Sequence, residues 1–262
     1  MKITVLAENT AGNPSLTAEH GLSLFIETKK HNILFDMGKT NAFAANAQTL
    51  GIDLSKADVA VLSHGHYDHG GGLREFLRIN SHAPVYVSAH AFEPHYHGEE
   101  KYIGIDTSLC GENRIRFVDN VTEIDGELSI HTCKEYPLTE PIDPAGLTVK
   151  RGEDFEEEDF IHEQYLLINE DGRRTLISGC SHRGILNISK WFEPDVLVGG
   201  FHFMNVDVSA HADRLERAAK LLLCRKPVYY TAHCTGTEQY EFLKKLMGDR
   251  LFYLSTGDIA EF

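Results

Sequence analysis

The chain has 262 residues, of which 42% are hydrophobic and 24% charged, and this composition excludes a disordered protein. Its net charge of −14 argues against a broad nucleic-acid-binding face, so no nucleic-acid partner is expected. The sequence has no apolar leader and no apolar run long enough to span a membrane, and its five cysteines are scattered. These features predict a cytoplasmic protein that does not associate with membranes.

Apolar or β-branched runs alternate with helical patterns along the chain. The runs predict strands at 2–7, 22–26, 32–35, 59–62, 84–88, 115–118, 165–168, 175–178, 196–198, 228–231 and 251–254. The helical patterns predict helices at 41–50, 73–79, 185–192, 211–224 and 237–247. Strands mixed with helices throughout favour a layered α/β architecture in one domain, residues 1–262.

Residues 90–163 depart from this alternation. The segment has little helical period, four prolines and an acidic run at 153–159. It is predicted to be an irregular cover segment in which most of the acidic run is solvated, the alternative being that part of it forms a lid over a site. His90, His95 and His97 lie in this segment and are expected to be ordinary surface residues.

Four residues of metal-binding type fall within six positions directly after the predicted strand at 59–62. They are His64, His66, Asp68 and His69. In an extended chain, positions i and i+2 project to the same side, so His64 and His66 can bind one ion while Asp68 and His69, where the chain bends, face a second. Imidazole and carboxylate ligands together suit zinc, iron or manganese. A solvated polar turn is the alternative, but it does not require this ordered composition.

Three later strands also run into a histidine. The strand at 175–178 leads to Cys180 and His182, the strand at 196–198 to His202, and the strand at 228–231 to His233. Open α/β sheets collect ligands beyond the carboxyl ends of their strands. The four strand ends are therefore predicted to converge on one cleft.

The signature His64-Gly65-His66-Tyr67-Asp68-His69, preceded by Phe35-Asp36-Met37-Gly38, resembles the metallo-β-lactamase-fold hydrolase superfamily over nearly the whole chain. Motifs at 19–23, 179–185, 200–202 and 233–236 are similar to the branch labelled 7,8-dihydropterin-6-yl-methyl-4-(β-D-ribofuranosyl)aminobenzene 5′-phosphate synthase. The resemblance implies a four-layer αββα sandwich with a dinuclear metal site, most simply two zinc ions, with manganese or iron as alternatives.

The resemblance also implies a ligand set. His64 and His66 belong to the first ion together with a third histidine, which is His182 or its competitor His162. Asp68, His69 and His233 belong to the second ion.

Where the superfamily has a bridging aspartate, this chain has Cys180. It is either a thiolate ligand, which would favour zinc, or a small buried residue. Asp36 is interpreted as a carboxylate that orients the metal-binding loop. His202 has two interpretations. Its imidazole faces the substrate or hydrogen-bonds a metal ligand, or it is a core residue whose hydrogen bonds are satisfied.

The predicted activity is metal-dependent hydrolysis of an ester, phosphoester or amide in a small molecule, which can be anionic because the ion sets the local field. A metal-bound hydroxide would attack, Asp68 would orient it and carry its proton, and His182 or His202 would polarise the electrophile or protonate the leaving group. Two alternatives stay open. One is a pterin-linked condensation, and the other is a non-catalytic metal-binding protein on the same fold.

Overall fold

A computed structural model describes residues 1–262 and contains eighteen strands and six α-helices. The strands are β1 (Lys2–Ala7), β2 (Ser23–Glu27), β3 (Asn32–Phe35), β4 (Val59–Val61), β5 (Val85–Ser88), β6 (His95–His97), β7 (Lys101–Tyr102), β8 (Ile115–Val118), β9 (Val121–Glu123), β10 (Leu128–His131), β11 (Leu147–Arg151), β12 (Asp154–Glu157), β13 (Tyr165–Glu170), β14 (Arg173–Ile177), β15 (Val196–Val198), β16 (Val228–Thr231), β17 (Leu251–Tyr253) and β18 (Ile259–Glu261). The helices are α1 (Ala42–Thr49), α2 (Tyr67–Gly70), α3 (Leu73–Ile79), α4 (Ile185–Phe192), α5 (Ala212–Leu223) and α6 (Thr237–Met247).

Two seven-stranded sheets form the centre of the molecule. The first has the order β18-β1-β2-β3-β4-β5-β8 and the second the order β17-β16-β15-β14-β13-β10-β9. Strands β3, β4, β5 and β8 are parallel to one another, as are β14 to β17. The carboxyl ends of the parallel strands carry the loops that hold the candidate site residues.

The side chains of each strand divide between two apolar layers, as the two-residue period of a strand requires. Ile33 and Phe35 of β3 belong to the cluster between the two sheets, whereas Leu34 belongs to the cluster that also holds residues of α1 and α3. On the other sheet, a third cluster joins β13 to β17 with α4, α5 and α6. Helices therefore cover both outer faces, and the predicted four-layer αββα sandwich is confirmed.

Helix α5 shows how the sequence pattern determines the layer. Leu215, Ala218, Ala219 and Leu222 are buried against the second sheet. Their spacing of three, four and seven residues defines one face of a helix. No helix of the protein is both long enough and apolar enough to cross a membrane.

The expectation of an irregular segment at 90–163 is wrong. Seven of the eighteen strands lie there, and β6, β7, β11 and β12 form a separate small sheet in the order β12-β11-β6-β7. Most of the acidic run is exposed, as predicted, but Glu158 at its end is buried. These strands are short and polar, so the two-residue apolar period that identifies a strand is missing from their sequence.

Candidate metal centre

The four strand ends converge at one place, as the sequence analysis predicted. The signature loop follows β4, and the loops with Cys180 and His182, with His202, and with His233 follow β14, β15 and β16. Ring centroids of His64 and His182 are 4.9 Å apart, and those of His69 and His233 are 5.0 Å apart. Residues more than 160 positions apart in the sequence thus line one site.

The first group of candidate ligands consists of His64, His66 and His182. One ring nitrogen of each lies within 4.8 Å of the others, and all three side chains are buried. Nε2 of His64 and both ring nitrogens of His182 are enclosed without a hydrogen-bond partner. Burying a polar atom without a partner costs free energy, so these nitrogens fit a site that binds a metal ion.

Burial keeps this group neutral. Desolvation and the neighbouring imidazoles lower the pKa of His64 and of His182 well below the ordinary value. Desolvation and the His95 imidazole lower the pKa of His66 to about 3. Neutral imidazole is the form that binds a metal, so little proton competition is expected near neutral pH.

The second group consists of Asp68, His233 and His20. Oδ2 of Asp68 lies 3.3 Å from Nε2 of His233 and 3.3 Å from Nε2 of His20. Burial alone would raise the pKa of Asp68, but His69 and the hydrogen bond to His233 lower it far below its usual range. Burial would also lower the pKa of His233, but the hydrogen bond to Asp68 outweighs this effect and raises it. His20 did not emerge as a candidate ligand from the sequence, because it lies outside the signature.

Cys180 and His69 link the two groups. Sγ of Cys180 lies 3.1 Å from Nε2 of His69, and one nitrogen of His64 completes a set of three atoms within 4.8 Å. Burial and the neighbouring Cys234 thiol raise the pKa of the Cys180 thiol. Cys180 therefore occupies a position between the first and second groups, and a bound cation would be needed to favour its thiolate form.

Asp36 orients the signature loop, in agreement with its predicted role. Its carboxylate accepts the backbone N–H of Ser63 at 2.7 Å and the Ser63 hydroxyl at 2.8 Å, and it faces Nδ1 of His69 at 2.6 Å. These contacts leave Nε2 of His69 directed to the site. A buried carboxylate on the second nitrogen of an imidazole fixes its tautomer and orientation.

Two further buried carboxylates hold the other site loops. Glu163 accepts the backbone N–H groups of His182 and Arg183 at 2.8 and 3.0 Å. Glu8 accepts the backbone N–H of His233 at 2.7 Å. Sequence reasoning missed both, because they bind backbone groups of distant loops and no motif marks them; the position of Glu8 directly after β1 is the one available signal.

Several site residues adopt backbone conformations that are rare outside glycine. Asp36, Ser181, His202 and His233 have φ angles of 58°, 57°, 57° and 49°. Each such residue costs roughly 1–3 kcal/mol unless its surroundings compensate, and such residues concentrate at functional sites. All four lie in loops at strand ends around the candidate ligands.

His162 and His95 lie behind the first group. His162 is buried and its Nδ1 accepts the backbone N–H of Gly65 at 2.9 Å, whereas His182 lies beside His64 and His66. This geometry favours His182 over His162 as the third histidine. The expectation that His95 is a surface residue is wrong, because it is fully buried against His162 with ring centroids 4.0 Å apart; His97 is exposed and His90 is half-buried.

His202 faces open space rather than the core. Its ring lies 4.2 Å from that of His182, and it lines two neighbouring cavities of about 310 and 470 Å³. Burial and the nearby His233 lower its pKa to about 4. The smaller cavity is the cleft above both groups of candidate ligands, and His97, Lys101 and Leu147 from the small sheet line its outer side. The alternative that residues from 90–163 contribute to a cover over the site therefore fits the structure.

Known proteins show the same architecture. Residues 16–169 match the Metallo-beta-lactamase superfamily. An uncharacterized protein of Methanocaldococcus jannaschii is 30% identical over 259 residues, which cover 93% of this chain and 94% of that protein. The 7,8-dihydropterin-6-methyl-4-(beta-D-ribofuranosyl)-aminobenzene-5'-phosphate synthase of the same organism is 26% identical, with 100% of this chain and 97% of that protein covered. A crystal structure described as a metal-dependent hydrolase of the beta-lactamase superfamily has a TM-score of 0.85 at 29% identity and covers 100% of this chain and 99% of that chain.

Proposed function

Since the chain belongs to the metallo-beta-lactamase superfamily, we propose that it is a metal-dependent hydrolase that acts on an ester, phosphoester or amide of a small molecule. One observation carries the proposal. Nε2 of His64 and both ring nitrogens of His182 are buried without a partner, and His182 lines the same cleft as the Asp68 and His233 pair. A core without a metal would not leave these nitrogens without partners next to an accessible cavity, and the cavity gives a small molecule access to a bound ion.

The proposal assigns two ions to the centre. His64, His66 and His182 would hold the first, and Asp68, His69 and His233 the second, with Cys180 beside His69. His20 also lies 3.3 Å from Asp68, but its side chain is exposed and is not assigned to an ion. Zinc is the metal that this mixture of imidazole, carboxylate and thiol suits best. Divalent ions at such a centre act as Lewis acids and lower the pKa of water from about 15.7 to about 7.

The chain's own residues would divide the remaining work. Asp68 is ionised at neutral pH, so its carboxylate can orient a water molecule and accept a proton. His202 belongs to neither group of ligands and is neutral at pH 7, so it would donate a hydrogen bond to an oxygen of the substrate. His182 is assigned to the metal rather than to proton transfer, because both of its nitrogens are enclosed.

The cleft indicates the size and charge of the substrate. Its volume of about 310 Å³ suits a small molecule. The chain is acidic overall, yet Lys101 and His97 reach the outer side of the cleft. We propose an anionic small molecule whose charged end meets Lys101.

The test combines metal analysis with an activity screen. Protein purified with zinc or manganese should contain close to two ions per chain and should hydrolyse at least one generic phosphodiester, lactone or thioester. His66→Ala should lose activity, whereas His82→Ala, a change at an exposed histidine outside the site, should not.

Two results would decide against hydrolysis. Absence of any bound transition metal would refute the metal-dependent proposal. Equal inactivity of the wild type and His66→Ala on every ester, together with consumption of a pterin diphosphate, would favour the condensation reaction instead. The synthase among the relatives is consistent with that alternative without favouring it.

A further inference from the structure

A second group of buried titratable residues lies directly behind the candidate metal centre. It consists of His95, Glu158 and His162 together with His66, and candidate ligand atoms of all four lie within 4.8 Å of one another. All four side chains are at least nine-tenths buried. His66 belongs both to this group and to the first group of candidate ligands. Contacts within this group can therefore determine the orientation of a candidate metal ligand.

Hydrogen bonds determine which nitrogen of His162 carries its proton. The backbone N–H of Gly65 donates to Nδ1 of His162 at 2.9 Å, so Nδ1 presents its lone pair. A ring nitrogen that accepts a hydrogen bond carries no proton, so the ring is neutral and its proton is on Nε2. Oε1 of Glu158 faces that side at 3.5 Å, which is a charge contact and not a formed hydrogen bond.

The same reasoning applies to His95. Its Nδ1 lies 2.9 Å from Oε2 of Glu158, whose other oxygen accepts the backbone N–H of Phe160 at 3.3 Å. With donors on both sides, the carboxylate is an acceptor, and Nδ1 of His95 carries the proton. Nε2 of His95 therefore presents a lone pair, and it is enclosed without a partner.

One ring nitrogen of His66 lies within 4.8 Å of a ring nitrogen of His95. Nε2 of His66 is enclosed and has no hydrogen-bond partner, while the ring lines the cleft. The rings of His66 and His95 meet edge to face with centroids 5.6 Å apart. A proton on Nε2 of His66 directed to Nε2 of His95 would give both nitrogens a partner.

We propose that His95 and Glu158 are positioning residues that hold His66 in the tautomer with a proton on Nε2, so that Nδ1 binds the metal. Glu158 accepts from His95, and His95 accepts from His66. Through His162, the same carboxylate fixes the backbone of Gly65 between the two histidines of the signature. The inference rests on the proposed metal-dependent function. It adds two residues that support the ligand loop from the small sheet: His95 in β6 and Glu158 directly after β12.

The backbone at Gly65 shows how closely this loop is packed. A Cβ atom there would lie 2.2 Å from the carbonyl oxygen of Ala91 and 2.9 Å from Nε2 of His95. The loop is thus packed directly against His95 and Ala91, with no room for a side chain between them. His66, the next residue, is therefore held close to His95.

A further metal ion bound by the group itself is the competing interpretation. The hydrogen bonds disfavour it, because Nε2 of His162 carries a proton and both oxygens of Glu158 already face donors. Binding an ion would require His162 to release Gly65 and the carboxylate to release His95.

The test compares the zinc affinity of four variants with that of the wild type, measured by chelator competition. Glu158→Gln should weaken binding at the centre about 10- to 100-fold, since an amide cannot accept from both imidazoles. The matched control is Glu157→Gln. Glu157 is the adjacent residue, it is exposed, and its side chain makes no hydrogen bond, so this variant should bind zinc like the wild type. His95→Gln, which keeps an acceptor oxygen, should retain more affinity than His95→Leu. Thermal unfolding of each variant shows whether it is folded.

A second readout reports the tautomers directly. Two-bond proton–nitrogen NMR spectra of ¹⁵N-histidine protein should place the proton on Nε2 in His162 and, with zinc bound, in His66. A proton on Nδ1 of either residue would overturn the proposal, as would equal zinc affinity in Glu158→Gln and Glu157→Gln. Loss of one whole zinc equivalent in the Glu158 and His95 variants, with unchanged affinity for the others, would show a further metal site instead. Lack of zinc in the wild type would refute the proposed function as well, whereas a Glu158→Gln protein with the zinc affinity of the wild type would refute this inference alone.

Discussion

Asp36 is a buried carboxylate whose contacts all lie in the loop that carries the metal-binding signature. It accepts the Ser63 backbone N–H at 2.7 Å and faces Nδ1 of His69 at 2.6 Å. Asparagine is of the same size, but its amide turns an N–H toward one of these donors. We predict that Asp36→Asn weakens zinc binding about 10- to 100-fold, measured by chelator competition. Asp249→Asn, a change at an exposed aspartate, is the control and should have no effect; equal affinities of the two variants would contradict the prediction.

Cys180 is the residue at which this chain departs from the superfamily pattern. Its Sγ lies 3.1 Å from Nε2 of His69, within the space between the two groups of ligands. We predict that the cobalt-substituted protein has a sulfur-to-cobalt charge-transfer absorption that Cys180→Ala abolishes. Cys180→Asp should also lack the absorption but keep the metal content of the wild type, since a carboxylate can occupy the same position.

Cys133→Ala is the matched control for this measurement, because Cys133 is buried but belongs to no group of candidate ligands. Its absorption spectrum should equal that of the wild type. An unchanged spectrum in Cys180→Ala would show that the thiol is only a small buried residue, which is the alternative that the sequence left open.

At the scale of elements, the sequence predicts those helices and strands that have a clear apolar period. All five predicted helices and all eleven predicted strands are present, with ends that differ by at most two residues. The small sheet was missed because strands such as Lys101–Tyr102 have too few apolar positions to show a period. Its strands are joined by the pairing of β6 with β7 and with β11, and tertiary packing buries His95 and Glu158.

The small sheet contributes Lys101 to the outer side of the cleft. A lysine at this position can pair with an anionic group of a substrate, and such charge-assisted contacts contribute about 1.5–3 kcal/mol. We predict that Lys101→Ala raises KM roughly tenfold or more for an anionic substrate and leaves kcat nearly unchanged. Steady-state kinetics with a substrate found in the screen provides the measurement. The control is Lys245→Ala on α6, and a similar KM in both variants would contradict a role for β7 in binding.

At the scale of the whole molecule, the site depends on residues that the sequence does not bring together. The signature residues and His233 could be predicted because each directly follows an apolar strand pattern in the sequence. Glu8 and Glu163 hold the loops of His233 and His182 from other elements, and only the fold places them there. A backbone N–H is present at every non-proline residue, so no residue pattern identifies the one that a distant carboxylate binds.

The buried histidines also predict how the stability of the metal-free protein depends on pH. Burial lowers the pKa of His64, His162 and His182 well below the ordinary value, so they stay neutral in the folded protein. In the unfolded chain they bind protons below a pH of about 6.5. The unfolded state therefore binds more protons in this range, and the free energy of unfolding must decrease as the pH falls below about 6.5.

Other groups change the stability in the opposite direction or at lower pH. The pKa of His233 is raised, so its contribution is fully present below the unfolded value and decreases as the pH rises. The pKa of Asp68 is lowered, so its contribution is lost only as the pH falls below about 3.9. The histidines with a lowered pKa, which also include His66 and His202, outnumber the two with a raised pKa, His233 and His31. Each contributes a slope of up to about 1.4 kcal/mol per pH unit.

We predict that urea unfolding of the zinc-stripped protein gives a free energy of unfolding that falls steadily from pH 7 to pH 5. His182→Gln should reduce this slope by up to one proton, because glutamine does not titrate. Saturating zinc should raise the stability more at pH 7 than at pH 5, because the raised pKa of His233 lets protons compete with the metal at the second group as the pH falls. A free energy that stays constant or rises on acidification would show that these imidazoles are accessible to protons in the folded protein, and that the site is more open than the enclosed nitrogens of His64 and His182 indicate.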